Sequence, residues 1–130
     1  MTAATVRVLI ADDDREFVDA LRVLIDAQPQ LRVAGTARNG LDAIELVDEL
    51  DPDAVLMDIH MPLLDGVSAV ARLRKDHPTL CLIALTGDET PRIHDAVREA
   101  GADEVLIKDH FAESLLIRLR EARAGSARPR

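Results

Sequence analysis

Five side chains in this sequence are of types that together can handle a phosphoryl group: Asp12, Asp13, Asp58, Thr86 and Lys108. Each lies just beyond an apolar run of strand length, namely Val6 to Ala11, Ala54 to Met57, Leu80 to Leu85 and Val105 to Ile107. In an open α/β sheet, ligands gather at the carboxyl ends of the strands near the point where strand order reverses. If the order is 2-1-3-4-5, the first and third strands are neighbours roughly 5 Å apart, and their terminal carboxylates converge in one pocket. Crowded carboxylates raise one another's pKa unless a cation compensates them. A hard divalent ion with oxygen ligands does so, and magnesium is the natural choice. The Thr86 hydroxyl and the Lys108 ammonium complete a set that can bind a phosphoryl group. An aspartate can then attack phosphorus while a metal and a lysine absorb the charge spread over the phosphoryl oxygens, which leaves an acyl phosphate on Asp58.

Positioning these groups requires regular elements, and the apolar pattern supplies them. A fifth strand-length run spans Leu31 to Ala37, and between the strands lie segments with helical spacing: Phe17, Leu21 and Leu24; Ile44, Val47 and Leu50; Val67, Val70 and Leu73; Ile93, Val97 and Ala100; Phe111, Leu115 and Leu119. Strand and helix thus alternate five times. Asn39-Gly40, Asp51-Pro52, Asp65-Gly66 and Gly101 punctuate the elements, and Thr90-Pro91 reads as an N-cap followed by proline at the first helical position. Asp14 reads as the cap of the first helix. Alternating βα units call for a parallel sheet with helices on both faces, and the uniformly apolar strands suit burial on both sides.

The 130 residues, 48% hydrophobic, fit one domain over 1–123, with the Gly, Ser, Arg and Pro-rich stretch 124–130 as a disordered tail or the start of a linker. A formal charge of −8 argues against nucleic acid or anionic membrane as a partner of this domain. The absence of Trp and Tyr removes the stacking platforms that single-stranded nucleic acid needs. Met1 to Thr5 carries no basic flank, and no transmembrane-length apolar run follows, so the expected compartment is the cytoplasm. The lone Cys81 sits inside an apolar run and reads as a small buried hydrophobe. His60, His77, His94 and His110 have no metal-ligand spacing, and surface or capping roles are the default for them. Arg72, Arg74 and Lys75, and likewise Arg118, Arg120 and Arg123, read as solvated helix faces that could meet an acidic partner.

The segments Leu9-Ile10-Ala11-Asp12-Asp13, Val55-Leu56-Met57-Asp58-Ile59-His60-Met61-Pro62, Asp65-Gly66, Leu85-Thr86-Gly87 and Gly101-Ala102-Asp103 ahead of Lys108 stand in order. In these, the chain from about Val6 to Leu119 resembles the receiver domain of bacterial two-component response regulators. The resemblance implies a flavodoxin-like (βα)5 fold with strand order 2-1-3-4-5 and a phosphoacceptor Asp58 served by a sensor histidine kinase. It further implies Mg2+ held by Asp13, Asp58 and the main-chain carbonyl of His60, with Asp12 helping through water, and contacts from Thr86 and Lys108 to the phosphoryl oxygens. Lys108 followed by Asp109, where many receivers have proline, is most similar to the NarL/FixJ group. Its members usually carry a C-terminal helix-turn-helix domain that controls transcription, and these 130 residues do not include one. Val105 stands where receivers often place a Tyr or Phe three residues before the lysine, so the usual threonine-aromatic coupling lacks its ring.

The expected role is therefore a switch rather than an enzyme, although it could catalyse its own phosphorylation and dephosphorylation. Phosphorylation-dependent homodimerisation is expected. An aspartyl-phosphate phosphatase would need a second Asp two residues beyond the nucleophile, where this chain has His60. The remaining alternative is an unphosphorylated pseudo-receiver that acts as a protein-interaction module.

Overall fold

The computed structural model describes residues 5–61, 64–87 and 90–122. Five strands, β1 (Val6–Ala11), β2 (Leu31–Ala37), β3 (Ala54–Asp58), β4 (Cys81–Thr86) and β5 (Glu104–Ile107), alternate with five helices. These are α1 (Arg15–Asp26), α2 (Gly40–Leu50), α3 (Gly66–Asp76), α4 (Pro91–Ala100) and α5 (Ala112–Glu121). The strands form one parallel sheet in the order β2-β1-β3-β4-β5, as the resemblance implied. The reading of 124–130 as a tail lies outside the described residues, as do Arg123 and Pro62.

Because successive strand residues face opposite sides, each central strand feeds two cores. Val8, Ile10, Leu56, Ile83 and Leu85 pack with Leu21 and Ile25 of α1 and Leu115 and Leu119 of α5. The intervening Leu9, Ala11, Val55, Met57 and Leu82 pack with Val47 of α2 and Val70 and Leu73 of α3. Truncating a fully buried leucine such as Leu56 to Ala costs about 2–5 kcal/mol. A smaller third cluster of Ile59, Ala84, Val97 and Val105 holds α4, whose only buried residue is Val97. The helix beside Thr86 is thus the most thinly anchored of the five.

Two strands end one residue later than the apolar pattern suggests. Asp58 pairs in register with Leu85, and Thr86 with Ile107, so both polar residues are the last rungs of the ladder rather than the first loop residues. Asp14, Asn39 and Asp65 cap α1, α2 and α3 by accepting the amides of Phe17, Asp42 and Ser68.

Arg74 departs from the sequence reading. It is not on a solvated face but half-buried at the base of the sheet. Its Nε donates to the Gly101 carbonyl at 2.9 Å, and its Nη1 to the carbonyls of Pro78 and Leu80, each at 2.8 Å. Its Nη2 meets Asp103 Oδ2 at 2.8 Å. One guanidinium therefore joins α3 to the entries of β4 and β5. Gly101, at φ 122°, allows this approach, since a Cβ there would lie 2.7 Å from Arg74 Cβ. Arg72 stays on an exposed face and pairs locally with Asp76, while Arg118 is half-buried and lies near Glu121.

Candidate functional site

The carboxyl ends of β1, β3 and β5 bring Asp12, Asp13, Asp58 and Lys108 together, and Thr86 ends β4, the strand between those of Asp58 and Lys108. Asp12 follows β1 directly, and its amide donates to the Ala37 carbonyl of β2. Its Oδ1 accepts the Asp14 amide at 2.8 Å, which fixes the carboxylate and starts α1 in the same turn. Asp12 is 3% exposed and Asp58 4% exposed, whereas Asp13 is open to solvent. One oxygen from each of the three lies within 4.8 Å of the others.

The cluster is shaped by its neighbours. Asp58 Oδ1 accepts the His60 amide at 3.1 Å, and the Ile59 amide donates to the Leu85 carbonyl at 3.3 Å. Gly66, the first residue of α3, packs against this loop so closely that a Cβ would stand 2.6 Å from the Asp58 carbonyl oxygen. Only glycine fits there, and Asp65-Gly66 is the sequence signal for it. Thr86 is fully buried at the end of β4, and its carbonyl accepts the Lys108 amide at 2.9 Å, which places Lys108 beside it. The Lys108 ammonium donates to Asp12 Oδ2 at 2.8 Å and lies 3.4 Å from Asp58 Oδ2.

Three carboxylates here face one ammonium. Burial pushes the Asp58 carboxyl up to about 6, reinforced by the Asp12 charge and resisted by the His60 amide and by Lys108. Burial lowers the Lys108 pKa, but the Asp12 hydrogen bond and the charges of Asp58 and Asp12 outweigh it and hold the ammonium above its ordinary range. An all-oxygen donor set with excess negative charge and one open side suits a hard divalent cation.

The sequence reading missed one feature of the site. Phe17 and Phe111 pack against the core as their helical spacing suggests, and in addition the Phe17 ring covers Lys108, with Nζ 4.5 Å from the ring centroid, and leans on the Phe111 ring at 5.3 Å. The available signal was that these two are the chain's only aromatic residues, one four positions after Asp13 and the other three after Lys108. The four histidines form no cluster. His60 and His110 are exposed, and His77 caps α3 and pairs with Asp48 at 3.0 Å. Cys81 is buried, as expected.

This fold and site define a class of protein, and comparison with known proteins gives the same one. Residues 8–120 match the family model described as the response regulator receiver domain, and the chain belongs to that family. It is 37% identical over 109 residues to the transcriptional regulatory protein YdfI of Bacillus subtilis, a match covering 84% of this chain and 51% of that protein. It is 38% identical over 120 residues to the protein-glutamate methylesterase/protein-glutamine glutaminase of Thermotoga maritima, covering 91% of this chain and 35% of that enzyme. The chain thus spans about half the length of the first relative and about a third of the second. Among solved structures, a receiver domain from Mycobacterium tuberculosis assigned to the regulator NarL superposes with a TM-score of 0.83 at 26% identity, covering 90% of this chain and 98% of that one. The same receiver fold therefore serves regulators of transcription and an enzyme, and its solved neighbours include the NarL type that Lys108-Asp109 implied. Among the described residues no helix is long and apolar enough to cross a membrane.

Proposed function

We propose that Asp58 accepts a phosphoryl group from the phosphohistidine of a sensor histidine kinase, and that the resulting acyl phosphate changes how the domain binds its partners. The observation that carries this reading is the Lys108 ammonium set between Asp12 and Asp58 at the rim of the acidic cluster. An Asp58 oxygen attacks phosphorus, a P–O bond forms, the P–N bond to the imidazole breaks, and the electron pair leaves with the imidazole. Lys108 and Thr86 stabilise the charge spread over the transferring oxygens. Asp12, Asp13, Asp58 and the His60 main-chain carbonyl would hold Mg2+, which when bound supplies positive charge against those oxygens. At neutral pH Asp58 is mostly ionised and ready as a nucleophile.

A new doubly charged group beside Thr86 acts on the thinly anchored α4 and on β5, which biases the face formed by α4, β5 and α5. The chain acts as a switch rather than an enzyme. In its whole protein it controls an output, transcription by a C-terminal DNA-binding domain being the favoured one, from the cytoplasm and with pairing of receivers after phosphorylation. The receiver is assigned to residues 1–123, with 124–130 as a tail or the start of a linker. The acidic cluster with its lysine weighs against an unphosphorylated interaction module. Transfer from a labelled histidine kinase tests this reading: the label on the parent chain is expected to be released by hydroxylamine, as an acyl phosphate is. A hydroxylamine-stable label, or none, would overturn it.

A further inference from the structure

The chain has two phenylalanines, no tryptophan or tyrosine, and two lysines, Lys75 and Lys108. Both rings and one of the lysines meet at a single point. Phe17 sits in the first turn of α1, tied there by its amide to the Asp14 cap at 3.2 Å. Phe111 stands at the N-cap position of α5, just after the turn that carries Lys108. The ring planes meet at 56°, an arrangement in which one ring braces the other. The Phe17 face looks onto the Lys108 ammonium at 4.5 Å, within the range where the ring quadrupole attracts a cation.

A lysine on four rotatable bonds would otherwise sample open solvent, since its side chain is 21% exposed. Asp12 and Asp58 attract the ammonium from one side. The ring attracts it from another and narrows the positions it can take. We infer that Phe17 is a positioning residue for Lys108: its ring face holds the ammonium against the Asp12 and Asp58 carboxylates, and Phe111 braces that ring from α5. This rests on the proposed acceptor role of Asp58 and adds a residue outside the predicted set of five. Phe17 acts through Lys108 and touches no reacting atom.

The test uses the full chain with Phe17→Tyr, which keeps an aromatic face, and with Phe17→Leu and cyclohexylalanine at position 17, which remove it. Cyclohexylalanine preserves the ring's volume, so it remains informative if the leucine variant folds poorly. With lysines isotopically labelled, Lys108 and Lys75 give the only two ε-methylene signals. The Lys108 signal is expected upfield of Lys75 through the ring current in the parent and Phe17→Tyr, and to lose that displacement with leucine or cyclohexylalanine. Phosphorylation by acetyl phosphate with Mg2+, followed by intact mass, is expected within twofold of the parent for Phe17→Tyr and roughly three- to tenfold slower for the two non-aromatic variants. Cyclohexylalanine at the parent's rate, or a parent Lys108 signal without the upfield displacement, would overturn the positioning role. A parent that takes up no phosphate would instead overturn the acceptor role of Asp58, and the ring-current signal would still decide whether Phe17 holds Lys108.

Discussion

The two ends of the sheet treat charge in opposite ways. At the amino ends of the strands the charges of Arg7, Asp53, Arg74 and Asp103 are each met by hydrogen-bond partners. Arg7 donates to the carbonyls of Leu50 and Asp51 at 2.7 and 3.0 Å, and Asp53 accepts the Arg7 amide at 2.8 Å. Arg74 satisfies three carbonyls and Asp103, and Asp103 in turn accepts the Leu82 amide at 2.9 Å. At the carboxyl ends, three carboxylates gather around a single ammonium, and one of them is held well above its usual pKa. The lower end is built for stability and the upper end retains an electrostatic demand that a ligand can meet.

That contrast can be broken from either side. Lys108→Met removes the ammonium that pairs with Asp12 and Asp58 and is expected to slow phosphorylation by acetyl phosphate about a hundredfold, as loss of one charge-stabilising donor does elsewhere. An effect under threefold would mean that the ammonium is a bystander. Arg74→Ala leaves Asp103 and three carbonyls short of a donor and is expected to cost about 2 kcal/mol in urea unfolding while the phosphorylation rate stays near that of the parent.

Asp58→Asn should act in the opposite direction, because it relieves a carboxylate that the fold burdens. With its folded pKa about 6 against an ordinary 3.8, Asp58 binds more proton in the folded state than in the unfolded state between those values. Its penalty is absent below about pH 4, grows as the pH rises, and is complete above pH 6. In metal-free buffer at pH 7 the asparagine variant is expected to be about 1–2 kcal/mol more stable than the parent, with a flatter stability curve between pH 4 and 6. Mg2+ at a hundred times its Kd should raise parent stability by about 2.7 kcal/mol and the variant's by much less. A variant less stable than the parent in that buffer would contradict the burdened-carboxylate account. The smallest expected effect is at His60, exposed two residues beyond Asp58: His60→Ala should lengthen the acyl phosphate lifetime about threefold if the imidazole assists water, and an unchanged lifetime would remove it from the site.

The lower end was harder to read from sequence than the upper. Asp12, Asp58, Thr86 and Lys108 announce themselves because each terminates an apolar run, and strand ends on one edge of a parallel sheet share a location. The Val6–Ala11 and Leu31–Ala37 strands were legible for the same reason. Arg74 was not, since in Arg72-Leu73-Arg74-Lys75 it looks like its exposed neighbours, and only the tertiary approach of Gly101 and Asp103 distinguishes it. Phe17 and Phe111 stand at helical spacing and do pack against the core, but that spacing shows which face is apolar, not that the Phe17 ring also meets Lys108. Asp65-Gly66 marked the turn behind Asp58, but the close contact of Gly66 with the Asp58 carbonyl follows from how α3 meets β3.

The central claim is that Asp58 takes the phosphoryl group, and the most direct measurement is intact mass of the parent and Asp58→Asn after incubation with Mg2+ and a small acyl-phosphate donor. The account predicts a gain of one phosphate on the parent and none on the variant. No gain on the parent, or an equal gain on both, would contradict it.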